Sequence, residues 1–346
     1  MVKATQPPAN GFVAGMRRLY KPLGFSKGYN FVLWFITIGY LMGFTLARFQ
    51  YLSFYGIFCN PSVHGASGAA PGECYYYLQD PFRIGMMLHL FCILPAAFLV
   101  CFQFVPTIRH KVILFHRING YLVILLSTIA SAGVLIVAQH AFGGDMATRT
   151  MVGALVISTT LAYIFAWINI KRLQIDQHRA WMMRAWAYTI MYSAAAIISL
   201  IGGFYTTRSC VQIASTVGKD MALNLYPGCL PFFQGENDAL EVLVKGNSYS
   251  SNNPMAIAAA TGITFGSAGW LAFWIHAIAI EFYLSLTPAE SRRLRQVSYE
   301  RQLERGFKHP GSAVLVAQRL GDADPYVPLL QRQQASSADE MGMLHR

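Results

Sequence analysis

Long apolar runs alternate with short polar segments along this chain, and the runs share one length. They cover 31–48, 84–105, 120–139, 151–170, 185–206 and 255–286. A helix needs about 20 mostly apolar residues to cross the hydrocarbon core of a bilayer. The pattern therefore predicts an all-α integral membrane bundle of about six transmembrane helices. A mean hydropathy of +0.38 and 54% hydrophobic residues agree with it. The organisation follows: an N-terminal segment over 1–30, a transmembrane domain over 31–286 and a tail over 287–346.

Charge sets the expected orientation. Of the 27 Lys and Arg, all but Arg48, Arg83, Arg149, Arg208, Lys219 and Lys245 fall in the N-terminal segment, the 106–119 and 171–184 loops, or the tail. Cytoplasmic loops carry the excess of positive charge, so both termini are expected to be cytosolic. The formal charge of +11 is then a membrane-surface feature, and anionic lipid is the expected partner. A nucleic-acid partner would need a soluble basic face, which the pattern does not offer. The first 30 residues are polar and basic and read as an uncleaved lead, with the first span directing insertion.

The cysteines point to the same topology. Cys59 and Cys74 fall in the first non-cytosolic loop, Cys210 and Cys229 in the last, and Cys92 and Cys101 inside the second span. Disulfides persist in oxidising compartments. Four such cysteines allow three connectivities, and local pairing, Cys59–Cys74 with Cys210–Cys229, closes each loop on itself. A eukaryotic endomembrane or plasma membrane is the expected location.

Smaller signals add detail. Gly262 and Gly266, followed by Ser267, Ala268 and Gly269, should let helix backbones approach closely. Thr287-Pro288-Ala289-Glu290 has the form of a helix start, and a charged helix should run to about Arg305. Beyond Gly306 the tail reads as loose. No phosphate loop, zinc motif, nucleophile elbow or dinucleotide fingerprint occurs, and no metal site is expected.

The residues that suggest chemistry are histidines and their neighbours. His116-Arg117 precedes the third span and His178-Arg179 the fifth, so both pairs should lie on one side at similar depth. Arg117, Arg179 and Arg184 suit contact with headgroups or other anions, since long basic side chains snorkel to phosphates. His89 lies inside the second span and His140 closes the third. Imidazole is a common haem ligand, so two tiers, His116 with His178 and His89 with His140, suggest an electron path across the membrane. His116 and His140, however, are separated by about 36 Å of helix at ~1.5 Å per residue. Alternatively, His178, His276, Glu281 and Asp176 are candidate acid–base groups for a lipophilic substrate.

His116-Arg117-Ile118-Asn119-Gly120-Tyr121, the run His178–Arg184 (HRAWMMR) and the Ala141-Phe142-Gly143-Gly144 turn together resemble a family of predicted multi-pass membrane proteins of unknown function, carried by bacteria and fungi. The likeness covers about 85–205. Its helix pattern is similar to that of di-haem membrane cytochromes b, which implies a redox role and haem. Three functions are thus open: a transmembrane oxidoreductase or haem-binding electron carrier, an intramembrane biosynthetic cyclase or isomerase acting on a lipophilic metabolite of fungal type, and a transporter or non-catalytic scaffold. The spans have few polar midplane residues, and Pro95 is their single internal proline.

Overall fold

The computed structural model describes residues 7–8, 10–25, 27–62, 68–198, 205–250, 252–313, 316–324 and 326–328. The longer helices, labelled in chain order, are α1 (Gly11–Tyr20), α2 (Gly28–Arg48), α3 (Phe82–Gln103), α4 (Ile113–Val137), α5 (Met146–Lys171), α6 (Ile175–Ile198), α7 (Pro254–Leu286) and α8 (Pro288–Glu304). Among the described residues, five helical stretches are long and apolar enough to cross a membrane: α2 with its continuation to Leu52, then α3, α4, α5 and α7.

The expected span over 185–206 differs. Its helix, α6, starts at Ile175 and carries Asp176, His178, Arg179 and Arg184 within its first turns, so the described part has a charged start. Residues 199–204 lie outside the described residues, while Tyr205 and Thr206 belong to a strand. Likewise α4 begins at Ile113, which puts His116 and Arg117 inside the helix rather than in the preceding loop.

The chain forms two compact units. The first comprises Met1–Gly153 with Ser193–Trp270, the second Ala154–Tyr192 with Leu271–Arg346.

In the first unit α3 and α4 pack with backbones in contact. A methyl on Gly133 would lie 2.5 Å from the Gly85 carbonyl oxygen and 2.7 Å from the His89 amide nitrogen. Small residues permit this approach, which replaces side-chain burial as the source of attraction in lipid. Polar ties reinforce it. Asn119 Nδ2 donates to the Leu99 carbonyl at 2.9 Å and Gln103 Nε2 to the His116 carbonyl at 3.1 Å. Gly266 and Gly269 do the same for the start of α5: methyls there would meet the backbone at Ala147 and Thr148, and the Met151 side chain.

The segment 205–250 is a folded cap. Strands β1 (Tyr205–Ser209) and β2 (Glu241–Lys245) pair antiparallel, with Tyr205 opposite Lys245 and Ser209 opposite Glu241. Ser209 then caps the helix Cys210–Val217, its hydroxyl accepting from the Gln212 N–H. Cys210, Ile213, Cys229, Val244, Met255 and Ala259 close a core beneath them. The disulfides are Cys59–Cys74 and Cys210–Cys229, the local pairing.

In the second unit α8 follows α7 as expected, but Thr287 does not cap it; its hydroxyl donates back to the Tyr283 carbonyl at 3.0 Å. Among the described residues beyond Gly306 the chain is less loose than its composition implies. Gly311 N–H donates to Gln302 at 2.6 Å, Arg295 reaches Gln318 at 2.8 Å, and Tyr326 O–H donates to Gln296 at 2.9 Å.

Candidate functional site

The first unit gathers its unusual chemistry around one carboxyl group. Glu73 sits beside the Cys59–Cys74 disulfide, at the start of the turn Cys74–Tyr77. That crosslink holds the segment against Phe54, Phe58 and Met86 and carries the Glu73 side chain inward. Its two oxygens accept from three neutral donors: the Ala70 N–H at 3.0 Å, the Phe142 N–H at 2.7 Å and the Tyr77 O–H at 3.1 Å. No cation pairs with it among the described residues. Burial disfavours the ionised form and outweighs those three donors, so its pKa rises from 4.5 to about 7.

Phe142 reaches Glu73 through an uncommon backbone. Phe142, Gly143 and Gly144 follow one another with φ of 49°, 86° and 63°. Left-handed geometry suits glycine but strains phenylalanine. The strain persists because the Phe142 ring stacks on Phe265 at 3.7 Å while its N–H is held by Glu73. Arg149 clamps the same turn, Nε donating to the Gly144 carbonyl at 2.7 Å.

Arg208, from β1, lays its guanidinium against the bare Cα atoms of Gly143 and Gly262; a methyl on Gly262 would collide with it. Burial lowers its pKa, and the nearby Tyr76 and Glu241 counteract this. His140 stacks face to face on Tyr76 at 3.9 Å and edge-on against Phe82 at 4.4 Å. Burial, helped by the charge of Arg149, lowers its pKa. Glu73, His140, Arg208, Gln212 and Thr261 all line one small cleft of about 20 Å3. That is room for about one water molecule, or one oxygen of a ligand.

The other sequence candidates are dispersed. His89 Nδ1 lies 3.1 Å from the Ala130 carbonyl, between α3 and α4. His178 Nδ1 lies 3.0 Å from the Ala166 carbonyl and His276 Nδ1 2.8 Å from the Ala272 carbonyl. A carbonyl only accepts, so Nδ1 carries the hydrogen in each. His116 faces Gln103 through its backbone carbonyl. The contact of Gly85 with Gly133 leaves no slot for a macrocycle between α3 and α4 at the level of His89, so the residues there do not fit haem between those helices. Among the described residues no three His, Cys, Asp or Glu side chains are grouped to hold a metal ion.

Two of the sequence candidates meet in the second unit. Arg184 grips Glu281 with Nε and Nη2, at 2.5 and 2.9 Å, and stacks over Trp181. Arg179 lies over Tyr283. Asp176 joins neither. It accepts from Gln174 at 2.8 Å, and from Gln177 and Arg295 both at 3.2 Å, with the Ser298 hydroxyl at 3.4 Å. That carboxylate, met by two amides and a guanidinium, ties α8 to the start of α6. Arg117 is exposed on α4.

Sequence reasoning did not single out Glu73, Tyr76, Arg208 or Gln212. One signal existed: Glu73 is the first acidic residue of the chain, and it adjoins a cysteine assigned to a disulfide.

Residues 86–222 match the model of a family described as predicted membrane protein (DUF2306). The matched segment includes His89, His140, the Phe142–Gly144 turn, Arg208 and Gln212, and leaves out Glu73. The chain is 24% identical over 323 residues to Ava biosynthesis cluster protein G of Aspergillus versicolor, across 80% of this chain and 94% of that protein. No solved structure matches the chain significantly. The likeness to cytochromes b thus rests on helix pattern alone. The chain is an integral membrane protein with several apolar helices, similar over residues 86–222 to this DUF2306 family of predicted membrane proteins.

Proposed function

We propose that this protein is a membrane-embedded biosynthetic enzyme that rearranges a lipophilic metabolite by acid–base chemistry at Glu73. The carrying observation is a buried carboxyl whose pKa is raised to about 7, sharing a cleft with the His140 imidazole, whose pKa burial lowers, and the half-buried Arg208 guanidinium. A general acid works best when its pKa lies near the operating pH, and perturbed groups converging on one cleft mark functional sites. The similarity to a biosynthesis cluster protein supports a metabolic role.

The cleft accepts one oxygen-sized group, so the substrate presents a carbonyl or hydroxyl end while its apolar body stays in lipid. Glu73 gives its proton to that oxygen as His140 accepts one from the substrate. Arg208 holds charge that develops on the oxygen. The substrate is isomerised with no net change in protons, and solvent returns the proton from His140 to Glu73.

The test compares lipid extracts of host cells that lack the protein, carry it, or carry Glu73→Gln. Gln keeps an acceptor for the Phe142 N–H but holds no proton to give. The expected result is one compound accumulating both in the lacking cells and with Glu73→Gln, and consumed with the wild-type chain. A Glu73→Gln profile identical to wild type, with the variant present at normal abundance, would overturn the proposal.

A further inference from the structure

Helix α1 divides cleanly into two faces. Phe12, Val13, Met16, Leu19 and Tyr20 fall on one side at 100° per residue, and Arg17, Arg18 and Lys21 on the other. Tyr20 is buried and stacks on Phe31 of α2 at 5.8 Å. Phe12 and Leu19 are 75% and 58% exposed. An apolar stripe left open beside a membrane-spanning helix fits a helix lying in the plane of the interface.

The turn after α1 is fastened to a second basic element. The Thr107 hydroxyl donates to the Pro22 carbonyl at 2.7 Å, and the Thr107 N–H to the Leu23 carbonyl at 3.1 Å. Gly24, with φ 91°, makes this possible, since a Cβ there would sit 2.9 Å from the Thr107 nitrogen and hydroxyl. Thr107 belongs to the short helix Pro106–Lys111, whose last turn holds Arg109, His110 and Lys111. Arg17, Arg18 and Lys21, with Pro8, Ala14 and Pro22, line an open cleft of about 590 Å3. No Asp or Glu occurs in residues 1–72 or 104–119.

From this geometry we infer that α1 and the helix Pro106–Lys111 form an interfacial platform that binds anionic phospholipid. Phe12, Met16 and Leu19 enter the acyl region, and the cleft of Arg17, Arg18 and Lys21 takes the phosphate and its negatively charged headgroup. Charge complementarity selects anionic over zwitterionic lipid, each exposed cation near a membrane surface contributing roughly fivefold.

The experiment reconstitutes the full chain in bilayers of phosphatidylcholine with phosphatidylserine, then extracts it and measures the ratio of the two lipids retained. Wild type is expected to enrich phosphatidylserine roughly tenfold or more over the bulk ratio. Arg17→Gln/Arg18→Gln/Lys21→Gln should bring the ratio near the bulk value, while Lys219→Gln should leave it unchanged. Added glycerophosphoserine tests the source: the enrichment should survive it, because the apolar face contributes only to intact lipid. Wild type is also measured in about 1 M salt, which screens exposed charge; this arm stands whether or not the triple variant folds. Enrichment that persists in high salt, or in a folded triple variant, would overturn the inference, as would displacement by the free headgroup.

Discussion

Glu73 and Asp176 are both carboxyl groups removed from solvent, and they are treated in opposite ways. Asp176 is met by the Arg295 guanidinium, the Gln174 and Gln177 amides and the Ser298 hydroxyl. Its charge is matched, and it serves to fasten α8. Glu73 is met by two backbone amides and a phenol. Those donors offset part of the desolvation cost but bring no opposite charge, so its proton is held to about 7. A matched buried carboxylate gives architecture, whereas an unmatched one gives a proton that can move.

The largest effect should come from breaking the matched site. Asp176→Ala leaves Arg295 buried without its anion, and losing one partner of a buried pair costs about 3–5 kcal/mol. Thermal unfolding in detergent should show it, with faster protease cutting after Leu286. A variant as stable as wild type would mean that Asp176 fastens nothing.

Next is the pH dependence from Glu73. Its folded pKa is raised, so the native state holds the proton more tightly than the unfolded chain between 4.5 and about 7. Its contribution is therefore greatest below 4.5 and is lost as pH rises through about 7. The shift corresponds to roughly 3 kcal/mol. Melting temperatures taken from about pH 5 to 8 should fall in wild type and flatten in Glu73→Gln. Parallel curves would remove the distinction between the two carboxyls.

A smaller effect sharpens the geometry of the cleft. Gly262→Ala forces the Arg208 guanidinium away from Gly143 and, because the far end of a flexible side chain yields more easily than backbone, should cost only about 1 kcal/mol. Gly153→Ala, with nothing within 4 Å of its added methyl, should be neutral or slightly stabilising. Equal melting temperatures for the two variants would mean that Arg208 is not wedged there.

The smallest is Arg184→Gln. The Glu281 side chain is 54% exposed, so the pair should contribute at most about 1 kcal/mol. A loss comparable to that of Asp176→Ala would place Glu281 among the matched buried carboxylates.

The spans and the cystines were legible because each is local. Five of the apolar runs became helices, four of them starting within about five residues of the expected position and α4 starting seven residues early, since about 20 apolar residues in lipid have little alternative. Cys59 and Cys74 close their own loop, as do Cys210 and Cys229. Glu73 was not legible because its burial depends on Phe142, which is remote in sequence and reaches it through a left-handed turn. Arg208 gains its role from Gly143 and Gly262, again far along the chain. The charged start of α6 drew attention to His178 and Asp176, but its side chains turn to Ala166 and Arg295, contacts that only the fold assembles.

The central claim is that Glu73 carries an exchangeable proton near neutral pH. Infrared titration of the reconstituted protein, wild type against Glu73→Gln, reads that proton directly through the carboxylic-acid carbonyl band. The expected result is a band that disappears with a midpoint near 7 and is missing from the variant. A midpoint below about 5, or the same titration in Glu73→Gln, would contradict it.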